Sequence, residues 1–147
     1  MSDPEHALAE AMESAPRFSA TTKGVKVTVR TFWLDDQSQP EEHRFAWAYH
    51  ITIENGSKHT VQVLSRSWEI VDGRGRIEHV HGEGVVGEQP VIGPKEVFEY
   101  TSGAMLETPT GFMSGVYHIF LPASASRFDA QIPAFSLDSP HHIDLIH

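Results

Sequence analysis

The segment FAWAYHITIEN, residues 45–55, places Phe45, Trp47, Tyr49, Ile51 and Ile53 at every second position. Five large apolar side chains in strict alternation share one face of an extended strand, whereas an amphipathic helix would space them by three and four. A strand with one apolar face must bury it against a second layer. Further strands are available to build that layer. In VKVTVRTFWL, Val25, Val27, Val29, Thr31 and Trp33 point one way while Lys26, Thr28 and Arg30 point the other. In TVQVLSRSWEIVD the pattern changes phase: Val61 and Val63 share one face, Leu64, Trp68 and Ile70 the other, which predicts a bulge between Val63 and Leu64.

IEHVHG, KEVFEYTSG, GVYHIFLP and FDAQIPAFSLD are further short segments of strand character, separated by Gly, Pro or Ser. Asn55-Gly56 reads as a hairpin turn, because both residues tolerate positive φ. SGAMLETPTGFMSG reads as a long connection whose apolar anchors are Met105, Leu106 and Met113. Phe112 joins these three, either to cap the sandwich or to form an exposed patch for a partner or second subunit. Pro133, inside the last strand, predicts an edge position or a bulge. Seven or so short strands without a convincing internal helix predict an all-β protein, an antiparallel two-sheet sandwich. Residues 1–16 differ: DPEHALAEAMES is rich in helix formers and predicts a short frayed helix, a flexible appendage to a single domain over residues 17–147.

Charge and composition narrow the function classes. A net charge of −9 opposes general binding to nucleic acid, which needs a basic face to displace counterions. The absence of cysteine excludes disulfides, thiolate nucleophiles and Cys-ligated metal sites. No apolar run approaches the ~20 residues that cross a bilayer, and the first residues lack a signal peptide's basic and apolar regions. The expectation is a soluble cytoplasmic protein without membrane insertion.

The stretch HVHGEGVVGEQPVIGP contains Gly82, Gly84 and Gly87 in the spacing G-x-G-x-x-G. In a dinucleotide-binding unit such a loop opens a helix of ten or more residues. Here Pro90, Gly93 and Pro94 follow, and no such helix can form. Glycines can still turn successive amides into one concavity that binds phosphate, although Glu83 and Glu88 oppose a polyphosphate unless a cation, Arg74 or Arg76 compensates. The alternative is a twisted β-connection with no ligand.

His79 and His81 alternate on one strand. With His118 from a neighbouring strand they could form a three-histidine site of the kind zinc, cobalt or nickel accept; the alternative is that they are simply solvated. His141, His142 and His147 form at most a loose metal-binding tail. No G-x-S-x-G elbow or recognisable Ser, His and Asp context is present. Asp35-Asp36 and Glu41-Glu42 read as solvated turns, and Trp33, Trp47 and Trp68 as core.

HGEGVVGEQPVIGP, FEYTSGAMLETPTGFMSGVYH and IPAFSLDSP together closely resemble the ApaG family, from about Arg17 to about Ile143. The resemblance implies a fibronectin type III-like β-sandwich and makes Gly82, Gly84 and Gly87 the family's glycine motif, which has been proposed to contact pyrophosphate-type ligands. It also implies an association with cobalt and magnesium tolerance or efflux. The related domain in eukaryotic F-box and polymerase-associated proteins looks like a protein-interaction module. Members often carry Lys or Arg before the first glycine; this chain has His81, whose charge depends on pH.

Three readings follow. The first is a non-enzymatic binding module with an indirect role in Co2+/Mg2+ homeostasis or efflux, taking a phosphorylated small molecule at Gly82, Gly84, Gly87 and His81 or a protein partner. The second is a metal-dependent nucleotide or pyrophosphate-handling enzyme. The third is a pure interaction domain whose glycines are architectural. Open edge strands permit a homodimer, and nothing in the sequence selects it over a monomer.

Overall fold

The computed structural model describes residues 15–141. The helix expected over DPEHALAEAMES lies outside these residues, as do His142 and His147. Nine strands follow one another: β1 (Arg17–Thr22), β2 (Val25–Trp33), β3 (Phe45–Asn55), β4 (Val61–Asp72), β5 (Ile77–Glu83), β6 (Val91–Ile92), β7 (Val97–Leu106), β8 (Thr110–Leu121) and β9 (Ser126–Asp138). One sheet has the order β1-β2-β3-β7 and the other β5-β4-β8-β9, with β6 also paired to β4. Every pairing is antiparallel. The expected all-β sandwich is the observed fold, and no helix among the described residues is long and apolar enough to cross a membrane.

The alternating residues form the core as their period requires. Val25, Val27 and Val29 of β2 are fully buried, as are Ile51 and Ile53 of β3, with Phe45, Trp47 and Tyr49 nearly so. The second sheet answers with Val61, Val63, Trp68, Tyr117, Ile119, Phe135 and Leu137. At the centre Tyr49, Trp68 and Phe135 from three strands meet with ring centroids 5.6 to 5.9 Å apart. Burying each such large side chain contributes about 1.5–3 kcal/mol. Trp47 Nε1 also donates to the Asp138 carbonyl at 2.7 Å, tying β3 to the end of β9 across the sandwich.

The change of phase in β4 is a bulge, with Leu64 as the extra residue: Val63 pairs with Ile119 but Ser65 with His118. Val61, Val63 and Trp68 thereby all reach the core, and Ser67 turns to the outer face. Pro133 sits where β9 shifts register against β8, on an edge strand. Proline there breaks no regular ladder bond.

Two expectations fail. Asn55-Gly56 does not close a hairpin, because β3 and β4 lie in different sheets. Residues 56–60 instead cross between the sheets, and the buried Asn55 side chain holds the crossing. Its Nδ2 donates to the carbonyls of His59 (2.8 Å) and Ile92 (2.9 Å), and its Oδ1 accepts from the amide and hydroxyl of Ser57. The long connection predicted over residues 102–115 is also absent. β7 and β8 run through it and leave only residues 107–109 between sheets. Two of its glycines are strand residues beneath closely passing backbone: a Cβ on Gly115 would overlap the Ser67 carbonyl, and one on Gly111 would come 2.7 Å from that of Val71. Strand alternation then divides the apolar anchors, with Leu106 and Met113 buried and Met105 and Phe112 exposed.

Between the sheets the hydroxyls of Tyr100 (β7) and Tyr117 (β8) are hydrogen-bonded to each other. Burial pushes both phenols above their ordinary value. An unfolded tyrosine therefore loses its proton before these two do, unfolding releases protons, and stability falls as pH rises above about 10. Tyr117→Phe strands the Tyr100 hydroxyl and is expected to cost about 1–3 kcal/mol in urea unfolding, whereas the double Phe variant recovers most of the loss. Additive losses in that cycle would show that the pair is not coupled.

Candidate functional site

The glycine stretch and the β4 bulge form one structure. β5 and β6 pair with the same edge of β4, at its two ends, and the stretch between them docks on the carbonyl that the bulge exposes. Leu64 O accepts from the Gly84 amide at 2.7 Å and from Gln89 Nε2 at 2.9 Å. The chain then reverses in two residues. The Val85 amide donates to Glu88 O (2.7 Å) and the Glu88 amide to Val85 O (2.9 Å), with φ of +43° at Val86 and +81° at Gly87. This is the pattern of a type I′ turn. Val85 is fully buried and anchors the turn in the core.

Two of the three glycines answer to a close approach. A Cβ on Gly84, at φ +61°, would overlap the Glu88 carbonyl. A Cβ on Gly82 would come within 2.7 Å of the Arg66 guanidinium, which lies over it and donates through Nη1 to Gly84 O at 2.7 Å and Glu83 O at 3.3 Å. The amides of Gly84, Val85 and Glu88 are thus already engaged, and the nearest cation is held by backbone carbonyls. Arg74 and Arg76 do not compensate Glu83 and Glu88. They lie at the opposite end of β5, about 20 Å of strand away, where Arg76 pairs with Asp72 (2.6 Å) and Glu107 (3.3 Å).

His81 points away from this turn, onto the outer face of the second sheet, and meets other side chains there. Ser67 Oγ of β4 lies 3.0 Å from His81 Nδ1 and 2.8 Å from His118 Nε2. His118 Nδ1 lies 2.8 Å from Asp129 Oδ1, and His81 Nε2 lies 3.8 Å from Glu83 Oε1. Five side chains on β9, β8, β4 and β5 form a single row. Proton counting orders it. A carboxylate only accepts, so His118 donates through Nδ1 to Asp129; in the neutral ring Nε2 then accepts from Ser67 O–H; Ser67 Oγ in turn accepts from His81 Nδ1–H.

His79 lies outside this row and lines a shallow depression beside Ser67 with Glu69, Val116 and Gln131. The His79, His81 and His118 set therefore does not gather about one point. Among the described residues no three His, Asp or Glu side chains are arranged to hold a metal ion. Ser67 and Asp129 were invisible in the sequence as partners of His118, from which they are separated by 51 and 11 residues. Only strand register brings them together.

A third feature is a groove at the ends of β5 and β7. Its larger part, about 600 Å³, is lined by Glu42, His43, Arg44, Arg74, Met105 and Leu106. It continues past Met105 and Glu107 to Asp72, Arg76, Ile77 and Glu78. Met105 is 61% and Ile77 59% exposed.

The turn geometry gives substitutions of opposite sign. Gly84→Ala is expected to destabilise by about 1–3 kcal/mol, the cost of a strained left-handed residue, with the overlap on Glu88 O added. A β-branched residue at positive φ is itself an outlier, so Val86→Asn, which creates the favoured Asn-Gly pair, is expected to stabilise by about 0.5–2 kcal/mol. Urea midpoints of the two variants check both signs, and equal or reversed shifts would overturn the turn assignment.

A family model described as the ApaG domain matches residues 35–120. The chain is 56% identical over 124 residues to Protein ApaG of Rhodospirillum centenum, covering 84% of this chain and 95% of that protein. It is 46% identical over 130 residues to Protein ApaG of Parvibaculum lavamentivorans, covering 88% and 99%. Among solved structures, the putative ApaA protein from Bordetella pertussis superposes with a TM-score of 0.76 at 39% identity, covering 86% of this chain and 97% of that one. With fold and sequence in agreement over most of its length, the chain belongs to the ApaG family.

Proposed function

We propose that this chain is a binding module that influences divalent-cation (Co2+/Mg2+) homeostasis through a protein partner docked in the groove at the ends of β5 and β7. The observation that carries this reading is the continuous groove, in which Met105 and Ile77 stand exposed among charged side chains of both signs. Arg44 lies against Glu42, and Arg76 is paired with Asp72 and Glu107, so the rim is of mixed charge and it is the exposed apolar side chains that suit a partner segment presenting apolar residues. β5 and β7 each end a sheet, so their free backbone groups offer such a segment a strand to pair with. In this reading the glycine turn is architecture that fixes the edge of β4, which the engaged amides of Gly84, Val85 and Glu88 support.

The test separates docking from small-molecule binding. Met105→Glu and Ile77→Glu change exposed side chains, so melting is expected to stay within about 0.5 kcal/mol of the parent. In cells deleted for the chain, the parent is expected to restore cobalt efflux and these two variants to fail. Full restoration by both would overturn the docking reading. Isothermal titration with pyrophosphate, with and without magnesium, is expected to give no heat; saturable heat that Gly84→Ala loses while still folded would return the glycine turn to the role of a ligand site.

A further inference from the structure

In the row of side chains on the outer sheet face, Ser67, His118 and Asp129 stand as nucleophile, base and orienting carboxylate, at 2.8 Å and 2.8 Å. That constellation is recognised by geometry and roles, whatever the order of its members along the chain. We infer that Ser67 is an acyl-accepting nucleophile that hydrolyses small neutral or cationic carboxylic esters through an acyl-serine. The inference goes beyond the docking reading and does not rest on it.

Each group in the row has one role fixed by its hydrogen bonds. Asp129 accepts from His118 Nδ1–H and so leaves the Nε2 lone pair facing the Ser67 hydroxyl. As Ser67 Oγ bonds to the ester carbonyl carbon, its proton passes to His118 Nε2. The carbon–alkoxide bond then breaks, the alcohol leaves with that proton, and the acyl group remains on Ser67. Water attacks the acyl carbon, gives a proton to His118, and the carboxylic acid departs as the serine recovers its hydrogen.

His81 supplies the donor for the oxygen that becomes negative. Its Nδ1–H points at Ser67 Oγ in the resting protein, 3.0 Å away. Once Oγ is bonded to the acyl carbon it is a poor acceptor, and the oxyanion one bond further becomes the better one. Side-chain donors, histidine among them, serve this purpose in acyl transfer. The depression beside Ser67, about 410 Å³ and open to solvent, gives the acyl group a place over the paired Val116 and Gln131. Glu69, Glu83 and Asp129 surround the site with negative charge. That charge disfavours phosphorylated or otherwise anionic acyl donors and selects neutral or cationic esters.

The test uses the full chain with p-nitrophenyl acetate. Nitrophenolate release is expected to exceed that of Ser67→Ala by about 100-fold or more, the usual worth of a positioned base, and peptide mapping is expected to find one acetyl group on Ser67. Asp129→Asn, an exposed conservative change, keeps the fold and is expected to lower acetylation at least about tenfold by releasing the His118 ring. His81→Ala is expected to slow the reaction about 10²-fold while the acetyl group still appears on Ser67. Melting curves accompany every variant. Release unchanged in Ser67→Ala, an acetyl group carried by a histidine or lysine instead, or Asp129→Asn reacting at the parent rate would each overturn the inference.

Discussion

The single extra residue in β4 is the constraint on which the rest of this molecule depends. Without Leu64 as a bulge, the period of two would place Ser67 on the face of Val61 and Val63 and turn Trp68 out to solvent. The bulge reverses that assignment from the fourth residue of the strand onward. Trp68 enters the core against Tyr49 and Phe135, and Ser67 emerges between two histidines. It also frees the Leu64 carbonyl from the β8 ladder and leaves it in need of other donors. The Gly84 amide and the Gln89 side chain satisfy it.

The glycine motif is therefore best understood from what it meets. A phosphate-binding loop keeps its amides free and aims them at the ligand. Here three of them bond within the chain, and the first glycine makes room for a guanidinium that is itself bonded to carbonyls. The same spacing can arise from two physical demands, and the residues on either side show which contacts it makes here. Pro90 and Pro94 exclude the helix, while Gln89 and the β4 bulge supply the partners of a turn.

What could be read in the sequence follows from the range of each signal. Alternation in β2 and β3, the bulge in β4 and the placement of Pro133 are local: a period of two, a break in that period, and a missing amide each leave a trace within a few residues. The Asn55 crossing misled because Asn-Gly is ambiguous. Asparagine tolerates positive φ, but its side chain also makes four hydrogen bonds here, and only the identity of the neighbouring strand shows which property is used. Gly111 and Gly115 misled for a related reason, since a glycine that relieves backbone crowding inside a strand looks like one that ends it. The row from Asp129 to His81, which joins four strands, left no local trace at all.

That row shows how a sheet can fix polar geometry on an open surface. His81 is the direct cross-strand neighbour of Ser67, and Asp129 that of His118. His118, however, pairs with Ser65, so its ring must reach diagonally to meet Ser67, a span within the compass of a long side chain. Serine is short enough to stay where its strand puts it, and the carboxylate holds the imidazole from the far side. Two direct pairs and one diagonal set the row from Asp129 to His81, and each depends on register alone. A shift of β4 by one residue against β8 would turn Ser67 inward and leave His118 facing a core residue's backbone. The bulge that buries Trp68 thus also aligns the polar row on the opposite face, so the stability of the core and the chemistry of the surface cannot be varied independently in this strand.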